Sequence, residues 1–277
     1  MFMSISFFRK IIIIIVVFII LFACNWQKSD HWEINPHKFS EEKFTLSDIA
    51  DDITYIPFDN IIPISSIFSI EIKDKAIYLS TKNAGIIQLD RKGSFIRTIA
   101  KKGRGPSEYL YGHDFVVDER SGRLYVIDKG KVKVYSAEGN WIYNISIEKY
   151  ISGTANEIES FDKYLFIPDY GTYGELKYNW IVIDTIGNLI STREKKFKPD
   201  GYVEPGDCYK FDNKLYYYNT INDTIFSISP DLNVDIAYLF SEGDYRWPEE
   251  GFNIESTAGS ELLKMFRLLQ MFESKYL

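Results

Sequence analysis

Four stretches of the chain are versions of one phrase: Asp74–Leu79 (DKAIYL), Ser121–Val126 (SGRLYV), Asp162–Ile167 (DKYLFI) and Asp212–Tyr217 (DNKLYY). Each opens on small polar or charged residues and runs straight into aliphatic and aromatic ones, the pattern of a tight turn feeding a β-strand. With Ile77, Leu124, Leu165 and Leu215 taken as equivalent, the phrase returns after 47, 41 and 50 residues. A period of that length, carried by strands and turns, is the sequence signature of a repeat architecture.

Working outward, each phrase is followed by a second strand and a second turn. These are Ile86–Asp90 before Gly93, Val132–Ser136 before Gly139, and Trp180–Asp184 before Gly187. The fourth copy, Thr224–Ser229, turns through Pro230-Asp231 and lacks the glycine. A third strand comes next, as in Ser94–Ile99 and Trp141–Ile145, and a short apolar strand precedes each phrase, as in Phe115–Val117. Four strands in about 40 to 50 residues make one blade of a β-propeller, whose radial repetition leaves only short, protected sheet edges. A β-sandwich would supply short strands and turns without this period. The expected fold is therefore all-β: a propeller of four-stranded antiparallel blades, about four of them present.

The N-terminus reads differently. Arg9 and Lys10 precede an unbroken apolar run, Ile11–Phe22, closed by Ala23 and Cys24. The run is shorter than the roughly 20 apolar residues an α-helical span requires, and with its positive flank it fits a secretory signal. Leu21-Phe22-Ala23-Cys24 resembles the lipobox of bacterial lipoproteins. That resemblance implies a signal peptide over 1–23, a lipid on Cys24 and attachment to a membrane through it. Asn25, in place of an aspartate, favours the outer over the inner membrane. Residues 24–43 read as a tether and 44–277 as the propeller domain. Loss of residues 1–23 removes two positive charges and no acid, taking the net charge from −7 to −9.

From about Phe44 onward the chain resembles the bacterial six-bladed β-propeller lipoproteins, architectural relatives of the NHL-repeat and TolB-like propellers. The resemblance rests on Lys102–Tyr109 (KGRGPSEY), Phe115–Asp118 (FVVD) and Arg123–Asp128 (RLYVID). It rests also on Phe44–Phe58 (FTLSDIADDITYIPF), similar to the segment whose strand completes the last blade in that family. It implies a fold and an address in the cell envelope. Against six blades the chain is expected to be incomplete. Ser274–Leu277 matches the start of a fifth copy, and Ser260–Phe272 before it has helical character with a broad apolar surface. Truncation, or a partner chain that completes the ring, would account for this.

Residues able to carry chemistry are few. Gly103-Arg104-Gly105-Pro106 lacks the Lys-Ser/Thr and the following helix of a phosphate-binding loop, and reads as an inter-blade turn exposing Arg104. The histidines are His31, His37 and His113, so a multi-histidine zinc site is not expected. His113-Asp114 begins an innermost strand, where it could face a central channel. The acidic turns lack the ligand spacing of a calcium loop, and no Gly-x-Ser-x-Gly elbow occurs. Cys208 has no disulfide partner once Cys24 is acylated. Basic residues are interleaved with acids along the sequence, which argues against nucleic acid as a partner. No catalytic, cofactor or metal residue is assigned; Arg104, His113 and Asp114 are the loop or channel candidates. The expected role is a binding or scaffold module for a protein, peptide or glycan. The alternatives are a metal-dependent propeller lyase or hydrolase with its site in the channel, and a non-functional remnant.

Overall fold

Each sequence repeat folds as one antiparallel sheet. The computed structural model describes residues 31–39, 43, 45–112, 114–151, 155–168, 177–195, 206–219 and 222–241. A first strand, β1 (Trp32–Ile34), precedes the repeats. Blade 1 is β2 (Ile67–Ile72), β3 (Ala76–Thr81), β4 (Gly85–Asp90) and β5 (Phe95–Ala100). Blade 2 is β6 (Phe115–Val117), β7 (Leu124–Asp128), β8 (Lys131–Tyr135) and β9 (Trp141–Ser146). Blade 3 is β10 (Glu159–Phe161), β11 (Tyr164–Pro168), β12 (Tyr178–Asp184) and β13 (Leu189–Glu194). Blade 4 is β14 (Asp207–Phe211), β15 (Lys214–Tyr218), β16 (Thr224–Ile228) and β17 (Val234–Phe240). Strands pair in chain order within each blade. The only helical elements among the described residues are a 3-10 turn, Pro36–Lys38, and one α-turn, Leu46–Ile49. No helix among the described residues is long and apolar enough to cross a membrane.

The two middle strands of each blade are largely buried on both faces. Successive side chains point to opposite faces, so one strand feeds two cores. On β6, Phe115 and Val117 join Ile86, Ile99 and Val126 between blades 1 and 2, while Val116 faces Leu165, Ile181 and Ile183 between blades 2 and 3. Between blades 3 and 4, Phe166, Trp180 and Val182 meet Leu215, Tyr217 and Phe226. The innermost strands β2, β6 and β10 touch in succession, which places them around a common axis.

The second turn of every blade has the same geometry. Gly93 N donates to Asp90 O and Asp90 N to Ser94 O, a pattern repeated at Gly139 with Ser136 and at Gly187 with Asp184. The three glycines have φ of 89°, 91° and 95°, a region that costs a side-chain-bearing residue about 1 kcal/mol or more. In blade 4 the same two bonds form around Leu232, whose φ is 63°. The turn is therefore kept without its glycine, and Leu232 packs on the core between blades 3 and 4.

The closing strand lies elsewhere than the sequence reading placed it. Phe44–Phe58 contributes no strand among its described residues; β1, within the stretch read as tether, is the strand that joins a blade, on the outer edge of β17. Ser241 N donates to Ile34 O at 2.8 Å and Ser241 Oγ to Glu33 Oε1 at 2.6 Å. Residues 56–64 instead cover the face of blade 1 turned away from blade 2. There Ile56, Ile62 and Ile64 pack on Ile77, Leu79, Ile87 and Leu89. Phe95 N donates to Asp59 Oδ2 at 2.7 Å, and a Cβ at Gly93 would lie 2.1 Å from Pro57 O. An alternating strand pattern was not available to mark Trp32–Ile34, because three residues are too few to show one. The described blades number four, against six in the family resembled. Residues 1–30, with Cys24, and 242–277, with the helical stretch and the fifth-copy match, lie outside the described residues.

Candidate functional site

The loop between blades 1 and 2 holds the glycine-rich stretch and leads to Asp114. Lys102 bridges Tyr109, and Gly103 N donates to Tyr109 O. The loop is pinned to blade 2 by Lys133 Nζ, donating to Pro106 O at 3.1 Å, and by Tyr135 OH, donating to Ser107 O at 2.7 Å. Gly105 N donates to Glu108 Oε2 at 2.9 Å, and a Cβ at Gly103 would collide with the same carboxylate. The stretch is thus an inter-blade turn whose amides hold the chain's own Glu108, with Arg104 exposed beside it.

Asp114, immediately before β6, joins three blades. Its Oδ1 accepts from Ser69 Oγ of β2 at 2.8 Å, and its Oδ2 accepts from Ile158 N, just before β10, at 2.9 Å. Burial pushes this carboxyl up to about 7, against the pull of the Ile158, Ser69 and Phe115 bonds and with a further push from Glu159. The neutral form keeps both contacts: a protonated Oδ1 donates to Ser69 Oγ, since a hydroxyl can reverse, and Oδ2 still accepts from Ile158.

Around it the innermost strands carry matched charges. Glu71 Oε2 lies 2.7 Å from Lys73 Nζ, which also reaches Glu119 at 3.4 Å; Lys210 Nζ of β14 lies 2.8 Å from Glu159 Oε1 of β10. The first pair is uneven. Burial and the neighbouring Glu159 push Glu71 above the usual carboxylate range. Burial opposes the Lys73 charge as well, but Glu71 and the second acid, Glu119, outweigh it and raise the lysine. Cys208 on β14 is buried, and its Sγ donates to Glu157 Oε1 at 3.2 Å; burial and that carboxylate push the thiol well up, which disfavours the reactive thiolate.

Of the sequence candidates, Asp114 sits at the axis and Arg104 on the loop surface, away from any shared cluster with it; His113 lies outside the described residues. Sequence reading missed Ser69, Glu71, Glu159 and Lys210, because residues a blade apart meet only once the ring forms. No group of three His, Cys, Asp or Glu suited to hold a metal occurs among the described residues.

Residues 32–277 match a family described as a domain of unknown function, DUF4934. No curated protein matches the chain. Among solved structures, the chain is similar to a Bacteroides fragilis protein described as exported, at 17% identity and a TM-score of 0.57, over 76% of this chain and 59% of that one. It is also similar to a Bacteroides caccae protein of unknown function, at 13% identity and a TM-score of 0.39, over 73% and 64%. A third is the virginiamycin B lyase of Staphylococcus aureus, at 13% and 0.42, over 65% and 55%. The chain spans from 55% to 64% of the length of these three structures. At 17% identity the likeness to the Bacteroides fragilis protein is one of fold.

Proposed function

The chain belongs to the DUF4934 family, and from that premise we propose that it is a cell-envelope β-propeller acting as a binding or scaffold module for a protein, peptide or glycan. In this reading lipid on Cys24 holds it at the outer membrane. Fold alone does not select a function on propellers, so the reading rests on the site. The observation that carries it is that the polar groups gathered at the axis are engaged with one another: Asp114 with Ser69 and Ile158, Glu71 with Lys73, Glu159 with Lys210. The Asp114 and Glu159–Lys210 contacts join neighbouring blades, and these polar groups are engaged with one another. The address is supported by the positive flank, apolar core and Ala23-Cys24 of the N-terminus.

Two measurements test it. The intact mass of protein extracted from membranes should lack residues 1–23 and include acyl chains; an unacylated mass with those residues retained contradicts the anchor. Elemental analysis of chelator-washed protein after dialysis against calcium or zinc should show no stoichiometric metal. One tightly held ion per chain contradicts the module and favours the lyase or hydrolase alternative.

A further inference from the structure

Adjacent strands of a blade run in opposite directions, so the β3–β4, β5–β6, β7–β8 and β9–β10 connections all emerge at one end of blades 1 and 2. The last three are in contact there: Leu110 N and Tyr111 N donate to Asp128, Ile147 N donates to Gly130 O, and Lys129 bridges Ala155. This end carries Lys101, Lys102, Arg104, Lys129 and Lys131, all exposed and, among the described residues, none in an ion pair. The acids interspersed with them in sequence are turned onto backbone amides: Glu108 onto Gly105, Asp128 onto Leu110 and Tyr111, Asp114 onto Ile158. Glu148 is the exposed acid of these loops, beside Gly130. At the opposite end Asp118-Glu119 stands next to Arg120, Glu119 pairs with Lys73 and Arg120 pairs with Asp162 of blade 3, while Arg91 and Lys92 are exposed. Folding thus places five exposed cations, none of them in an ion pair among the described residues, at one end of blades 1 and 2 in a chain of net charge −7.

The surface also presents Tyr111, 46% exposed with Lys129 Nζ 3.8 Å from its ring centre, and Leu110, 37% exposed.

We propose that this loop end of blades 1 and 2 is a docking surface for an anionic polysaccharide bearing carboxylate or sulfate groups, with Lys101, Lys102, Arg104, Lys129 and Lys131 meeting its charges and Tyr111 a sugar ring. The inference rests on the binding-module reading and names its ligand class. Cations spread over two neighbouring connections suit a polymer with repeated charges better than a small anion. An acidic peptide can also meet a basic cluster, so polyglutamate is the comparison that separates it from a polysaccharide. An anionic membrane can also attract a basic patch beside a lipid anchor, so the vesicle comparison separates it from a polysaccharide.

The test uses the detergent-extracted full chain and immobilised alginate, with neutral dextran, polyglutamate and phosphatidylglycerol vesicles as comparisons. Alginate should be retained in preference to all three, and binding should weaken at least tenfold between low and moderate salt, as surface charge contacts are screened. A Lys101→Glu/Lys102→Glu/Arg104→Glu variant should lose at least tenfold in affinity. An Arg91→Glu/Lys92→Glu variant, reversed at the other end of blade 1, should bind as the native chain does. Should the triple variant fail to melt cooperatively, Lys129→Gln/Lys131→Gln and the salt series on the native chain give the same reading. Unchanged binding by the loop-end variants, equal retention on dextran, or preference for polyglutamate or the vesicles overturns the proposal. Binding of a neutral glycan alone would overturn it while leaving the module reading intact.

Discussion

The axis and the loop end of blades 1 and 2 are neighbours built by the same strands, yet they treat charge in opposite ways. At the axis, Lys73 is 14% exposed and its partner Glu71 17%, and each cation has a carboxylate within 3 Å. At the loop end five cations face solvent while Glu108 and Asp128 accept from backbone amides. A desolvated charge without a partner carries a penalty of several kcal/mol, so burial compels pairing; an exposed charge carries no such penalty, and its lack of a partner leaves it available to a ligand. Polar residues at the axis thus report on assembly of the ring, and those at the loop end on what the ring presents.

Stability and binding should therefore separate by position. The apolar cores set the scale. Trp180 is 1% exposed, with the rings of Phe166, Tyr217 and Phe226 centred 5.7, 4.9 and 6.0 Å away. Trp180→Ala is expected to lose about 3–5 kcal/mol in urea unfolding. Asp114→Ala removes the acceptor of the buried Ile158 amide and the link to Ser69, and should lose about 2–3 kcal/mol. A loss below about 0.5 kcal/mol would break the comparison, because the axial polar groups would then not be holding blades. The smallest effect belongs to the loop end: Lys101→Glu/Lys102→Glu/Arg104→Glu should melt within about 0.5 kcal/mol of the native chain.

The sequence made the blades legible because their signals are local. The turn phrase at Asp74, Ser121, Asp162 and Asp212 and the glycines at 93, 139 and 187 each concern a few adjacent residues, and all fall where expected. The axial network was legible only at Asp114, which opens its strand. Its partners Ser69 and Ile158 stand 45 and 44 residues away, about one blade on either side, and no local pattern marks them. Sorting of the cations was illegible for the same reason. Asp128 and Glu108 look in sequence like neutralising neighbours, and only backbone geometry shows that their oxygens point to amides.

The claim that Asp114 fastens three blades is tested most directly by the pH dependence of stability in the native chain and in Asp114→Asn. A carboxyl raised to about 7 from an unfolded value of 3.8 contributes stability that is fully present below about pH 4 and is lost as pH rises through 7. Glu71, also raised, adds dependence of the same sign in both proteins. Asparagine keeps the neutral pattern, with Nδ2 donating to Ser69 Oγ and Oδ1 accepting from Ile158 N. The variant should gain on the native chain between pH 4.5 and 8, by on the order of 3 kcal/mol, and the gain should level off above pH 8. A difference between the two proteins that stays constant over that range would mean that Asp114 is not held in the desolvated contact between blades, and would contradict the account.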